Sequence, residues 1–278
     1  MPHLVSTQWL ADNLGSDALV VLDGSYHLPA AGRDARAEYL AGHIPGARFV
    51  GFDTIADMTS GLDNTAPSAD AFAARMGDLG VSDGSTVVIY DNSPHRTSAR
   101  VWFLLKMFGK DAAILDGGLG KWQAEGRAEE QGEPEWQPAK FTAKADPAKL
   151  RDKAQMLANI DSRAEQVVDA RGADRFTGEA EEIRPGMVSG HIPGSRNVPI
   201  GTLYEADGTM KDLAGIEAEF LGAGLDLGRP IVTSCGSGVT AANLSFALDR
   251  LGKPSAIYDG SWSEWAADPA TPKATGPA

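Results

Sequence analysis

The chain repeats itself once, and that repeat limits what it can fold into. Gly-His-Ile-Pro-Gly-Ala-Arg at 42–48 returns as Gly-His-Ile-Pro-Gly-Ser-Arg at 190–196, an offset of 148 residues. Val20–Asp23 matches Gln166–Asp169 at an offset of 146, and Thr86–Asp91 matches Pro230–Cys235 at 144. Asp116-Gly117-Gly118 with Trp122 matches Asp259-Gly260-Ser261 with Trp265 at 143. The offsets drift by only a few residues, as changes in loop length produce. So long a period marks a duplicated domain rather than a solenoid, and 278 residues suits two domains. The polar stretch 127–146, with Pro134 and Pro138, reads as a linker between a domain at 1–126 and another at 147–278.

Within each half, short β-branched runs alternate with helical patterns. Gln166–Asp169 and Pro230–Ser234 read as buried strands, and Ala256–Tyr258 as another. Val239–Leu251 carries apolar residues at helical spacing and is stopped by Gly252 and Pro254. Val101–Phe108 has the same spacing and reads as packing in the first half. The alternation predicts an α/β protein, each half a mainly parallel central sheet flanked by helices.

Composition narrows the function. The net charge of -13 disfavours nucleic acid and anionic membranes as partners. An anionic ligand would have to be held by local cations and backbone amides against that field. No apolar run approaches the roughly 20 residues of a membrane span. The N-terminal MPHLVSTQWLADNLG lacks the pattern of a signal peptide, so a soluble cytoplasmic protein is expected. The single cysteine, Cys235, excludes an intrachain disulfide and a multi-thiolate metal site. No cofactor is expected.

A lone cysteine is commonly a small buried hydrophobe. The setting of Cys235 argues otherwise. Ser234-Cys235-Gly236-Ser237-Gly238-Val239-Thr240-Ala241 lies between an apolar strand and an amphipathic helix predicted to begin near Val239. Its two glycines allow a tight curl whose amides point inward as an anion-binding nest. The helix start adds its positive end. A cysteine there has its thiolate favoured and acts as a nucleophile, and an exposed one would be open to oxidation.

The order strand, Cys, glycine-rich loop, helix resembles the rhodanese superfamily. The string CGSGVTA is similar to that of its 3-mercaptopyruvate sulfurtransferases, and the HIPG turns and DG-x-x-x-x-W endings extend the resemblance over almost the whole chain. It implies two tandem rhodanese-like domains, with the second catalytic because Asp91 replaces the cysteine in the first. It also implies a Cys235 persulfide made from 3-mercaptopyruvate and passed to a thiol acceptor, such as thioredoxin or a small thiol, or to cyanide. The amides of Gly236, Ser237, Gly238, Val239 and Thr240 would hold the persulfide, and the Ser237 hydroxyl would assist the leaving enolate or the sulfur. Arg175 and Arg184 fall where the family binds the donor carboxylate, a task suited to a planar guanidinium. Asp53 matches an acid that relatives place near the site. Several relatives have a histidine eleven residues further on; here the residue is Asn64, which is no general base and is left out of catalysis.

Other features invite less. Arg171 reads as bracing the strand end through a buried ion pair. His43 and His191 are duplicated although Cys235 is not, so they belong to the fold. Trp122, Trp262 and Trp265 read as core, and Glu179–Glu182 as a solvated acidic loop. Thiosulfate sulfurtransferases of this type place basic residues after the cysteine, where this chain has Gly236 and Ser237. A Cys-dependent phosphatase would need an arginine where Ala241 stands. A non-catalytic interaction module remains the third alternative.

Overall fold

A computed structural model describes residues 3–182 and 187–278. Each half builds one five-stranded sheet, and every strand pairing in it is parallel. The first comprises β1 (Leu4–Val5), β2 (Leu19–Asp23), β3 (Arg48–Phe49), β4 (Thr86–Tyr90) and β5 (Ala113–Leu115), in the order β1-β5-β4-β2-β3. The second repeats the order with β6 (Leu150–Arg151), β7 (Gln166–Asp169), β8 (Arg196–Asn197), β9 (Ile231–Ser234) and β10 (Ser255–Tyr258), as β6-β10-β9-β7-β8. The expected α/β duplication is therefore what folds. Parallel neighbours need crossovers, and helices supply them. In the first half these are α1 (Thr7–Asn13), α2 (Ala35–Ala41), α3 (Phe52–Ile55), α4 (Ala69–Asp78), α5 (Ser98–Met107) and α6 (Gly118–Ala124). The second half has α7 (Lys153–Ser162), α8 (Ala173–Thr177), α9 (Leu213–Gly222), α10 (Ala241–Arg250) and α11 (Ser261–Ala267).

The central strands are covered on both faces, so they read as continuous apolar runs rather than alternating ones. Val87–Tyr90 and Ile231–Ser234 are buried throughout. The helices that follow them, α5 and α10, are buried almost all round, α10 with the small or polar residues Asn243 and Ser245 among those covered. Trp122 closes the core of one half, and Trp262 and Trp265 that of the other. His43 and His191 are fixed alike: each Nδ1 meets a main-chain carbonyl, Tyr39 O or Phe176 O, at 2.9 Å. Their rings stack on Tyr39 and Phe176.

The chain divides into two compact units, each of which takes in a short excursion from the other half. One contains residues 3–57, 66–146 and 205–210; the other contains 58–65, 147–204 and 211–278. In the first, Met210 N–H donates to Asp116 Oδ1 at 2.8 Å. The proline-bearing stretch before residue 147 is bound along that unit, with Ala139 N–H on Gly77 O and Asp146 N–H on Met107 O, both 2.9 Å. Among the described residues no helix is long and apolar enough to cross a membrane.

Candidate active site

Cys235 is the first residue beyond β9, which lies between β10 and β7. It therefore stands at the carboxyl edge of the sheet, where open α/β folds gather ligands. The loop turns at Gly238, whose φ of +78° is a left-handed value that glycine adopts at little cost. That reversal delays the helix: α10 opens at Ala241 behind Thr240, two residues later than the spacing of Val239 suggested. Among the described residues, no acceptor takes the N–H groups of Gly236, Ser237, Val239 or Thr240. Such amides in a buried loop suit an anion.

The outer side of the loop is tied down. Cys235 O accepts Trp262 N–H at 2.9 Å, and Gly236 O accepts Ser263 N–H at 3.0 Å. Drawn against α11 in this way, Cys235 is only 1% exposed, so the exposure on which ready oxidation depends is lacking. Ser237 and Val239 are also buried. Asn64, which the sequence argument set aside, belongs to this unit and donates from Nδ2 to Ser237 Oγ at 3.3 Å.

A buried chain of charges leads to the loop from β7. Arg171 binds both oxygens of Asp169, donates to Gly190 O at 2.7 Å and lies over the Trp262 ring at 4.6 Å. This is the ion pair expected at the strand end. Burial opposes the Arg171 charge, but Asp169 and Glu182 outweigh it and hold the guanidinium above its ordinary pKa. Glu182 is not the solvated acid of the sequence reading. Its side chain is 2% exposed and joins Arg171 Nη1 at 2.6 Å to Arg175 Nη2 at 2.5 Å. Desolvating that carboxylate is tolerable because two guanidinium groups neutralise it. Arg175, in α8, then lies against the loop: a Cβ on Gly236 would sit 3.5 Å from its Nη2. Arg175 Nε is buried and has no hydrogen-bond partner among the described residues.

Asp53 lies in the other unit, exposed in the first turn of α3. Arg184 falls outside the described residues. The first unit's counterpart of Cys235, Asp91, turns its carboxylate into its own loop, accepting Ser93 N–H at 2.8 Å and Ser98 N–H at 2.9 Å.

A model of the rhodanese-like domain matches residues 6–125 and again residues 152–268. The chain belongs to the rhodanese family. The 3-mercaptopyruvate sulfurtransferase of Rattus norvegicus is 42% identical over 270 residues, spanning 94% of this chain and 91% of its own. The thiosulfate sulfurtransferase of Cricetulus griseus is 39% identical over 273 residues, with 94% and 91% covered. Among solved structures, SseA of Escherichia coli, described as a 3-mercaptopyruvate sulfotransferase with the rhodanese fold, superposes with a TM-score of 0.85. It is 36% identical and covers 95% of this chain and all of its own. This rhodanese is accordingly a sulfurtransferase. Two residues at the candidate site differ from their sequence readings: Asn64, left out of catalysis, and Glu182, read as solvated. The signal for Glu182 was present in an acid seven residues beyond Arg175. Position 64 was marked by the histidine of several relatives, but an asparagine there reads as inert until the excursion of 58–65 brings it to Ser237.

Proposed function

We propose that this rhodanese is a 3-mercaptopyruvate sulfurtransferase working through a persulfide on Cys235. The observation that carries the reading is the loop: a buried cysteine, a rim of amides with no acceptor among the described residues, and Arg175 against Gly236. In the first stage the Cys235 thiolate attacks the sulfur of the donor and an S–S bond forms. The donor's C–S bond breaks, its electron pair leaving as the enolate of pyruvate. The proton on the donor sulfur passes to that enolate, giving pyruvate and leaving a persulfide anion for the amides to hold. Asn64 donates to Ser237 Oγ, which leaves the Ser237 hydroxyl proton for the enolate oxygen. Arg175, and Arg184 by resemblance, bind the carboxylate; Asp53 stands as a further site residue by resemblance alone. In the second stage an acceptor thiolate, such as thioredoxin or a small thiol, or cyanide attacks the outer sulfur and the Cys235 thiolate returns. Only the second half works this way, because Asp91 cannot carry sulfur.

Thiosulfate is the competing donor, favoured by the likeness to the hamster enzyme. The neutral Gly236 and Ser237 weigh against so highly charged a donor. Steady-state transfer to cyanide from the two donors decides: we expect a large preference for 3-mercaptopyruvate, and a preference for thiosulfate would overturn the assignment. Cys235→Ser should abolish turnover with both while the circular-dichroism spectrum and melting temperature hold.

A further inference from the structure

Asp116-Gly117-Gly118-Leu119-Gly120 and Asp259-Gly260-Ser261-Trp262-Ser263 follow corresponding strands, β5 and β10. Two glycines of the half without a cysteine, Gly118 and Gly120, are thus serines in the half that has one. Both serines reach the backbone of the Cys235 loop. Ser261 Oγ accepts Cys235 N–H at 3.4 Å and donates to Tyr258 O at 2.9 Å. The Ser263 hydroxyl donates to Gly236 O, beside the Ser263 amide.

The main-chain contact is common to both halves. Leu119 N–H reaches Asp91 O at 3.1 Å, as Trp262 N–H reaches Cys235 O. The hydroxyl contacts are what the second half adds. They come at a conformational cost, because Ser261 has a φ of +51°, which L side chains rarely adopt. Gly118 has nearly the same φ, +58°, without that cost, and a Cβ there would meet Asp91 O at 2.6 Å. A fully buried serine standing where glycine is conformationally cheaper points to a use for its hydroxyl.

We propose that Ser261 and Ser263 are positioning residues for Cys235. Together with the amides of α11 they engage Cys235 N–H, Cys235 O and Gly236 O. The three consecutive peptide planes from Ser234 to Ser237 then cannot turn, and the loop's remaining amides stay directed toward the sulfur. The proposal rests on Cys235 being the nucleophile of the preceding reading.

The test places the first half's residues in the second, as Ser261→Gly/Ser263→Gly. The melting temperature should not fall, since glycine relieves the left-handed φ at 261. Meanwhile kcat for sulfur transfer should drop by about 10- to 100-fold, the scale on which a misplacement of about 1 Å acts, with KM for 3-mercaptopyruvate little changed. Alkylation of Cys235 by iodoacetamide should slow as well, and Ser263→Thr, which keeps a hydroxyl, should retain the parental rate. Parental kcat and alkylation rate in the double-glycine protein would overturn the proposal. So would an activity loss that only follows the folded fraction while alkylation of the folded protein is unchanged. If the parent transfers no sulfur from 3-mercaptopyruvate, the donor assignment fails, yet the alkylation comparison still decides the role of the serines.

Discussion

Asp23 and Asp169 end corresponding strands and meet opposite conditions. Asp169 is bound on both oxygens by Arg171. Asp23 is met instead by neutral donors, Ser25 N–H at 2.8 Å and the hydroxyls of Ser25 and Tyr90, which lower its pKa by less than burial raises it. Burial therefore dominates, and it raises the Asp23 carboxyl from 3.8 to about 6. A carboxyl whose folded pKa lies above its unfolded value gives stability that is complete below the unfolded pKa and is lost as pH rises through the folded one. The protein should thus lose on the order of 3 kcal/mol from this residue between about pH 4 and pH 7. Asp23→Asn should flatten that slope and raise the melting temperature above pH 6; an unchanged pH profile of thermal unfolding would contradict the assignment. Residues of this kind are poorly legible in sequence. Val21-Leu22-Asp23 and Val167-Val168-Asp169 read the same with or without a partner, and only the repeat register shows that one half has arginine where the other has serine.

At the scale of elements, the Cys235 loop is governed by backbone conformation. Gly236 has ordinary φ, and a methyl group there would only touch Arg175. Gly238 is left-handed. Gly238→Ala should therefore cost about 1–3 kcal/mol of stability and most of the sulfur-transfer rate. Gly236→Ala should leave the melting temperature near the parental value. Equal effects from the two would show that the turn, as described, does not set the loop. Strands were the most readable elements because buried parallel strands are continuous apolar runs; β7 agrees with the sequence residue for residue. The start of α10 was misread by two residues because Val239 and Thr240 are apolar or small enough for a helix, whereas the turn at Gly238 first has to be completed. The Arg171–Glu182–Arg175 chain was only half legible. Arg175 is recognisable by resemblance and Arg171 by its place at the strand end, but an acid that neutralises two guanidinium groups looks, in sequence, like any charged loop.

For the whole molecule, the balance of charge bears on how a donor arrives. The net charge is -13, while Arg171 and Arg175 are offset locally by Asp169 and Glu182. An approaching anion meets a repulsive field until it is close enough for individual amides to act. Raising ionic strength from low to physiological should therefore increase kcat/KM for 3-mercaptopyruvate, and more steeply for doubly charged thiosulfate. A fall with salt, measured as initial rates at fixed pH, would mean that local cations dominate the approach. The duplication was the most legible feature of all, and the domain-scale fold followed from it. The excursions of 58–65 and 205–210 were not legible, since nothing in their composition says which half they join. Asp91 fills its own loop. Its carboxylate already satisfies the amides of Ser93 and Ser98, and Pro94 contributes no N–H to that loop at all. The first half thus carries its own anion as a built-in ligand. A thiol placed at 91 would remove that occupant without supplying the amide that Pro94 lacks, so one substitution does not turn this loop into a second sulfur site.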